Sequence, residues 1–249
     1  MSALSGKRII VTGGAQGMGR EHARLLAGRG ARVAIVDTDP EQATRTVDLI
    51  ETAGGTARFH AADVSARAEV ERVVADVAAH WGGVDAVVSN AGNVHTTETL
   101  AETDDDTWDR TFRIHVGGAL NLTRAAAPEL VRSGHGRVVI VSSTWALKGP
   151  GFGYAYCAAK GALLSFMRNL AAELGPSGVC VNAVTPGAVP TRMAEGKSPE
   201  RIAEESLSIP LRRWAEHDEV SGLVAFLCSD ESSYVSGQSI GVNGALIPS

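Results

Sequence analysis

The sequence predicts an α/β fold: a single doubly wound, Rossmann-type domain with a parallel sheet of about seven strands and helices on both faces. Three observations carry this expectation. Short runs rich in β-branched residues recur from one end to the other, each followed by a longer stretch of helical periodicity. The strand runs are apolar almost throughout, as strands covered on both faces must be. Strict β-α alternation with right-handed crossovers leads to a doubly wound open sheet.

In chain order, the strands are expected at 8–12 (RIIVT), 32–37 (RVAIVD), 57–61 (ARFHA), 84–90 (VDAVVSN), 137–143 (RVVIVSS), 179–184 (VCVNAV) and 239–243 (SIGVN). Helical patterns fill the intervals, the clearest at 19–30, 65–82 and 160–175, with a further long pattern over 104–132. No Pro/Gly/Ser-rich linker and no internal repeat interrupts this rhythm, so residues 1–249 are expected to form one domain. One segment departs from it. Between Gly187 and about Arg213 the chain has three prolines and no strand pattern; one or two short helices are expected there, and a long connection just after a strand's carboxyl end is expected to serve as a substrate lid.

Composition narrows the function. The 249 residues are 44% hydrophobic and 20% charged, enough apolar surface for a sizeable core and too little charge for a disordered chain. A net charge of −5 without a basic run argues against a nucleic-acid partner. Three cysteines with no close pair fit neither a disulfide framework nor a zinc site, and no metal is expected. The N-terminus lacks a signal-peptide pattern and no apolar run approaches the ~20 residues of a membrane span, so a soluble cytoplasmic protein is expected, with no membrane partner.

In an open α/β sheet, ligands bind beyond the carboxyl ends of the strands. After the first strand comes TGGAQGMG (12–19), whose glycines Gly13, Gly17 and Gly19 permit a tight turn and a close approach of backbone to pyrophosphate. A ligand-free tight turn would use glycine too. The second strand ends in Asp37, which can accept from an adenosine ribose and repel a 2′-phosphate, or instead cap the helix beginning near Pro40. With no Lys or Arg in AQGM or DTDP, the expected cofactor is NAD, NADP being the less favoured choice. Asp63-Val64 and SNAG (89–92) follow the third and fourth strands; either Asp63 or Asn90 alone would be ordinary turn chemistry. Ser142-Ser143 closes the fifth strand, and Pro186-Gly187 follows the sixth. Tyr156 and Lys160 stand four residues apart, hence on one face of a helix.

Taken in this order, T-G-x-x-x-G-x-G (12–19), Asp63, N-A-G (90–92), Ser143, Y-x-x-x-K (156–160) and P-G (186–187) resemble the short-chain dehydrogenase/reductase family over nearly the whole chain. Ser143 lies 13 residues before Tyr156, the family spacing, which selects it over Ser142. The resemblance implies hydride transfer between NAD(H) and a secondary alcohol or ketone. Tyr156 would be the general acid or base, Ser143 would orient the substrate oxygen, and Lys160 would favour the phenolate. Dinucleotide contacts would fall on Gly13, Gln16, Gly17, Met18, Gly19, Asp37, Asp63, Val64, Asn90, Ala91, Gly92, Tyr156, Lys160, Pro186, Gly187, Val189 and Thr191. His115 occupies a position where many members have an asparagine whose backbone helps hold a water linking the catalytic lysine to solvent; it can serve that relay, directly or through water, or be a structural histidine. Asn121, almost two turns further on, is a poor substitute. A largely apolar pocket framed by His95, Trp145, Tyr154 and Met193 would suit a hydrophobic substrate. Helices near 104–132 and 156–175 would make a homotetramer contact. Asn243-Gly244-Ala245 replaces the frequent Asp-Gly-Gly. An NADP-dependent 3-oxoacyl thioester reductase and a non-catalytic NAD-binding sensor or scaffold are the competing expectations.

Overall fold

The computed structural model describes residues 3–93, 99–149, 153–190 and 198–247. His95, Thr191 and Met193, each expected at a ligand, lie outside the described residues.

Seven parallel strands form one sheet in the order β3-β2-β1-β4-β5-β6-β7. They are β1 (Arg8–Thr12), β2 (Arg32–Asp37), β3 (Thr56–Ala61), β4 (Ala86–Ser89), β5 (Arg137–Val141), β6 (Cys180–Pro186) and β7 (Ser239–Val242). The helices α1 (Gly17–Gly28), α2 (Pro40–Thr52), α3 (Arg67–Trp81), α4 (Asp105–Phe112), α5 (Gly118–Ser133), α6 (Trp145–Lys148), α7 (Tyr154–Leu174), α8 (Pro199–Leu207) and α9 (His217–Leu227) lie between them.

Side chains alternate across each strand, so an apolar run must satisfy two cores at once. Ile9 and Val11 of β1, with Val139 and Val141 of β5, join the layer beneath α1, α2 and α9. Ile10, Val138 and Ile140 join the opposite layer, under α3, α5 and α7. Each fully buried Val or Ile contributes about 1.5–3 kcal/mol. This double demand explains why the strands read as continuous hydrophobic stretches. Strand order reverses between β1 and β4, which opens a crevice at their carboxyl ends.

Two local features differ from the sequence reading, and a third agrees with it. Asp39, not Asp37, caps α2, accepting from Gln42 N at 3.1 Å. The helix expected over 104–132 contains a π-helical turn at Arg113–Gly117, between α4 and α5, which carries His115. The segment beyond Gly187 contains a short helix as expected, the nine-residue α8, and returns through Leu211 N to Gly244 O at 3.3 Å. Arg212 and Ala245 hold positive φ there, 57° and 66°, a conformation that costs a side-chain-bearing residue roughly 1–2 kcal/mol.

His22 of α1 is fully buried, with Nδ1 2.7 Å from Ser221 Oγ of α9. Burial, reinforced by nearby His217, lowers its pKa to about 3. The unfolded chain therefore takes up a proton below about pH 6.5 that the folded one refuses, and stability falls as pH drops from 6.5 toward 3. Thermal unfolding midpoints should decline across this range. The slope should be shallower in His22→Leu by up to about 1.4 kcal/mol per pH unit, and equal slopes would remove His22 as a cause.

Candidate active site

The first loop is built by steric exclusion. Gly13, at φ 65°, passes so close to the loop after β4 that a Cβ would sit 2.8 Å from Ala91 Cα. A Cβ on Gly19 would overlap the Gly13 carbonyl oxygen and reach 2.6 Å from Asn90 Nδ2. Gly17 is left-handed at φ 55° with open space around it. Behind them, α1 starts at Gly17 with no side-chain cap and no acidic residue in its first turn. Uncapped N–H groups, a helix dipole and an open glycine fit the pyrophosphate of a dinucleotide.

The neighbouring loops are tied to this turn. Asn90 Nδ2 donates to Thr12 O (3.0 Å) and Gly13 O (3.2 Å), while Thr12 Oγ1 accepts from the N–H groups of Asn90 and Ala91, both at 3.1 Å. Asn90 thus bridges the β1 and β4 loops across the reversal of strand order. The Asp37 carboxylate accepts from Ala15 N (3.0 Å), Thr38 N (2.8 Å) and Asp39 N (3.2 Å). Asp63 is exposed, its side chain accepting from Ser65 N at 2.8 Å. Asn121 Nδ2 donates to Val64 O at 2.9 Å, bracing the loop after β3. The Pro186 carbonyl accepts from Thr144 N (2.9 Å) and Thr144 Oγ1 (2.7 Å), and Gly187 N donates to Val242 O at 2.9 Å. These bonds hold the loop after β6 beside Ser143. Val189 is buried against the α1 layer.

Ser143, Tyr156, Lys160 and His115 meet at the carboxyl end of β5, each more than nine-tenths buried. The α7 spacing places Lys160 Nζ 5.6 Å from the centre of the Tyr156 ring, on the expected common face. Lys160 Nζ donates to Val141 O at 2.8 Å, and Ser142 Oγ donates to Lys160 O at 2.8 Å, so both serines of the pair have a use. Ser143 hydrogen-bonds the Tyr156 side chain. The His115 ring meets the Tyr156 ring edge-on at 5.7 Å, and its Nε2 lies 3.0 Å from Asn93 O and 3.1 Å from Asn93 N. A Cβ on Gly92 would overlap His115, so the glycine of N-A-G makes room for the imidazole.

The electrostatics depart from expectation. Burial pushes the Tyr156 phenol up to about 12, against the lowering effect of the Ser143 hydrogen bond. Burial also pulls Lys160 down to about 7. An ammonium that is half-neutral near pH 7 is a weak stabiliser of phenolate, so in the bare chain desolvation outweighs it. The resting site therefore favours the neutral phenol.

Trp145 opens α6, its N–H donating to Ser143 Oγ at 3.2 Å, and Lys148 Nζ lies 5.4 Å from its ring. Tyr154 is 49% exposed at the start of α7. A cavity of about 280 Å³ lies where the ends of β6 and β7 meet the segment after α8, lined by Ala188, Ile209, Leu211, Val242 and Gly244. Neither Ser143 nor Tyr156 lines it. Thr12, Asn93, Asn121 and Thr144 were not among the expected site residues. Thr12 has a signal in the T-G of the first turn, whereas the bonds of the others involve backbone atoms, of Val64 for Asn121, of Pro186 for Thr144 and of Asn93 itself, and such contacts carry no mark in sequence.

Residues 13–246 match the family model described as enoyl-(acyl carrier protein) reductase. The chain is 34% identical to the 3-oxoacyl-[acyl-carrier-protein] reductase FabG of Thermotoga maritima, across 98% of this chain and 99% of that protein. Its structure is similar to carveol dehydrogenase from Mycobacterium avium in complex with NAD, with a TM-score of 0.93, 29% identity, and 98% of each chain covered. A short-chain type dehydrogenase/reductase from Mycobacterium ulcerans gives a TM-score of 0.92 at 33% identity, covering 97% of this chain and 90% of that one. Motif, sheet topology and likeness over almost the full length converge: the chain belongs to the short-chain dehydrogenase/reductase family of nicotinamide-dependent oxidoreductases.

Proposed function

We propose that the chain is an NAD-dependent oxidoreductase interconverting a hydrophobic secondary alcohol and its ketone. The observation that carries this reading is the burial of Ser143, Tyr156 and Lys160 together at the edge where the glycine turn lies. NAD, when bound, supplies or accepts the hydride. The chain's part is proton transfer and position. Tyr156 Oη gives its proton to the carbonyl oxygen during reduction and takes one from the hydroxyl during oxidation. Ser143 Oγ donates to the same oxygen and fixes its place. Lys160 and the Pro186–Thr191 loop hold the nicotinamide half; Gly13–Gly19, Asp37, Asp63-Val64 and Asn90–Gly92 hold the rest. Asp37 favours NAD because a carboxylate repels a 2′-phosphate.

His115 is proposed to relay protons between Lys160 and solvent, directly or through water, with its ring held by the Asn93 backbone. Its contact with Asn93 supports this, as does its place in a π-turn, a feature frequent at functional sites. His115→Asn should keep most turnover and His115→Ala should lose more. Near-wild-type rates for both would remove the residue from the mechanism.

Residues 187–213, of which 191–197 lie outside the described residues, are proposed as the substrate lid of a single 1–249 domain, because in sequence they follow the carboxyl end of β6. Exposed Trp108, Leu120 and Tyr154 support a homotetramer built on α4, α5 and α7, which a monomeric mass in solution would refute.

A screen of secondary alcohols and ketones with NAD(H) and NADP(H), followed by cofactor absorbance, tests the reading. NAD-coupled turnover of an apolar alcohol is expected; turnover confined to NADPH would contradict it. Similarity to the Thermotoga maritima reductase favours a second reading, reduction of 3-oxoacyl thioesters, and such a thioester belongs in the same screen.

A further inference from the structure

Ala15, inside the glycine turn, is held at both ends by side chains from outside the turn. Its N–H donates to Asp37 Oδ2 at 3.0 Å. Its carbonyl accepts from Arg20 Nη2 (3.1 Å), Arg20 Nε (3.3 Å) and Thr46 Oγ1 (2.8 Å). Arg20 follows Gly19 directly on α1. Its Nε also reaches Thr46 Oγ1 at 3.1 Å, and its Nη2 donates to Gln42 Oε1 at 2.9 Å.

The charge of Arg20 is unusual for its surroundings. Arg24 and Arg45 pair with Glu21 and Glu41, yet Arg20 enters no ion pair among the described residues. It is half-buried, and its Nη1 donates to no atom among them. A guanidinium outside any ion pair, with both Nη1 N–H groups open, can still donate to a phosphate oxygen and offers it an uncompensated positive charge. The Asp37 carboxylate stands on the other side of the same residue, each of its oxygens already accepting from backbone N–H groups, so both charges are fixed in place.

We propose that Arg20 is a specificity-determining residue and a latent phosphate site. Asp37 excludes a 2′-phosphorylated dinucleotide by charge alone, and when that charge is removed Arg20 receives the 2′-phosphate. The proposal rests on the reading that the adenosine ribose of a dinucleotide lies against Asp37. An arginine that only braced Ala15 would act on both dinucleotides alike. One that reads the phosphate acts on their ratio.

Dissociation constants for NAD and NADP, measured calorimetrically on the full chain, decide between these. Asp37→Asn keeps an acceptor oxygen and removes the charge, and should bind NADP at least about ten-fold more tightly than wild type. Adding Arg20→Met should lose about ten-fold or more of that NADP affinity while NAD changes less than about three-fold. Arg20→Lys, which keeps the charge but not the planar guanidinium that is tied to Ala15 while Nη1 stays open, should fall between and serves if the methionine variant does not fold. Equal losses for both dinucleotides, or an NADP gain indifferent to residue 20, would overturn the proposal. Wild type that binds neither dinucleotide would instead sink the reading beneath it, and this inference with it.

Discussion

Tyr156→Phe is expected to lower turnover by about 10²–10⁴-fold while leaving NAD affinity and thermal stability close to wild type. The phenyl ring fills the same buried space and keeps its edge contact with His115, so packing survives. What goes is the hydroxyl that is hydrogen-bonded to Ser143, on a ring whose centre lies 5.6 Å from Lys160 Nζ. The wild-type pH profile should carry the mark of the raised phenol. With its pKa near 12, Tyr156 holds the proton needed for ketone reduction throughout the neutral range. Alcohol oxidation needs the phenolate, so its rate should climb with pH, and positive charge near the ring must supply what burial takes away. Rates in both directions indifferent to the substitution would exclude the residue from chemistry.

Gly19→Ala should abolish dinucleotide binding, weakening NAD by about 100-fold or more, or should destabilise the fold by about 1–3 kcal/mol or beyond. The added methyl has nowhere to go, because its neighbours are the Gly13 carbonyl and Asn90 Nδ2, which are themselves bonded to one another at 3.2 Å. Relief requires moving the loop after β1 and the loop after β4 together. Gly17→Ala provides the contrast: its methyl meets open space and costs only the left-handed strain of roughly 1–2 kcal/mol. Titration of NAD against both variants, with melting curves, separates the two effects. Equal affinity for Gly19→Ala and wild type would show that the turn does not hold the pyrophosphate.

The sheet was legible because its strands bury both faces. Ile9, Ile10 and Val11 alternate between two cores, leaving an unbroken apolar run that only a covered sheet accommodates. The pairing of Tyr156 and Lys160 was legible from helical spacing alone. What escaped was whatever acts through the backbone or through burial. Nothing in RIHVG distinguishes a π-turn from an α-helix, since one extra residue per turn leaves the composition unchanged. Asn121 reaches a carbonyl 57 positions away. Asp39 competes with Asp37 for the helix cap only two residues on, a choice that spacing cannot make. The rise of the Tyr156 pKa follows from the depth of α7 beneath its neighbours, a quantity that i,i+4 spacing does not contain.

A crystal structure of the chain with NAD bound, at a pH where Tyr156 keeps its proton, addresses the central claim most directly. The account predicts the pyrophosphate on the first turn of α1 and the nicotinamide ring facing a single site shared by Tyr156 Oη and Ser143 Oγ. A dinucleotide bound away from the Gly13–Gly19 turn, or a ring that turns its reactive carbon from Tyr156, would contradict it.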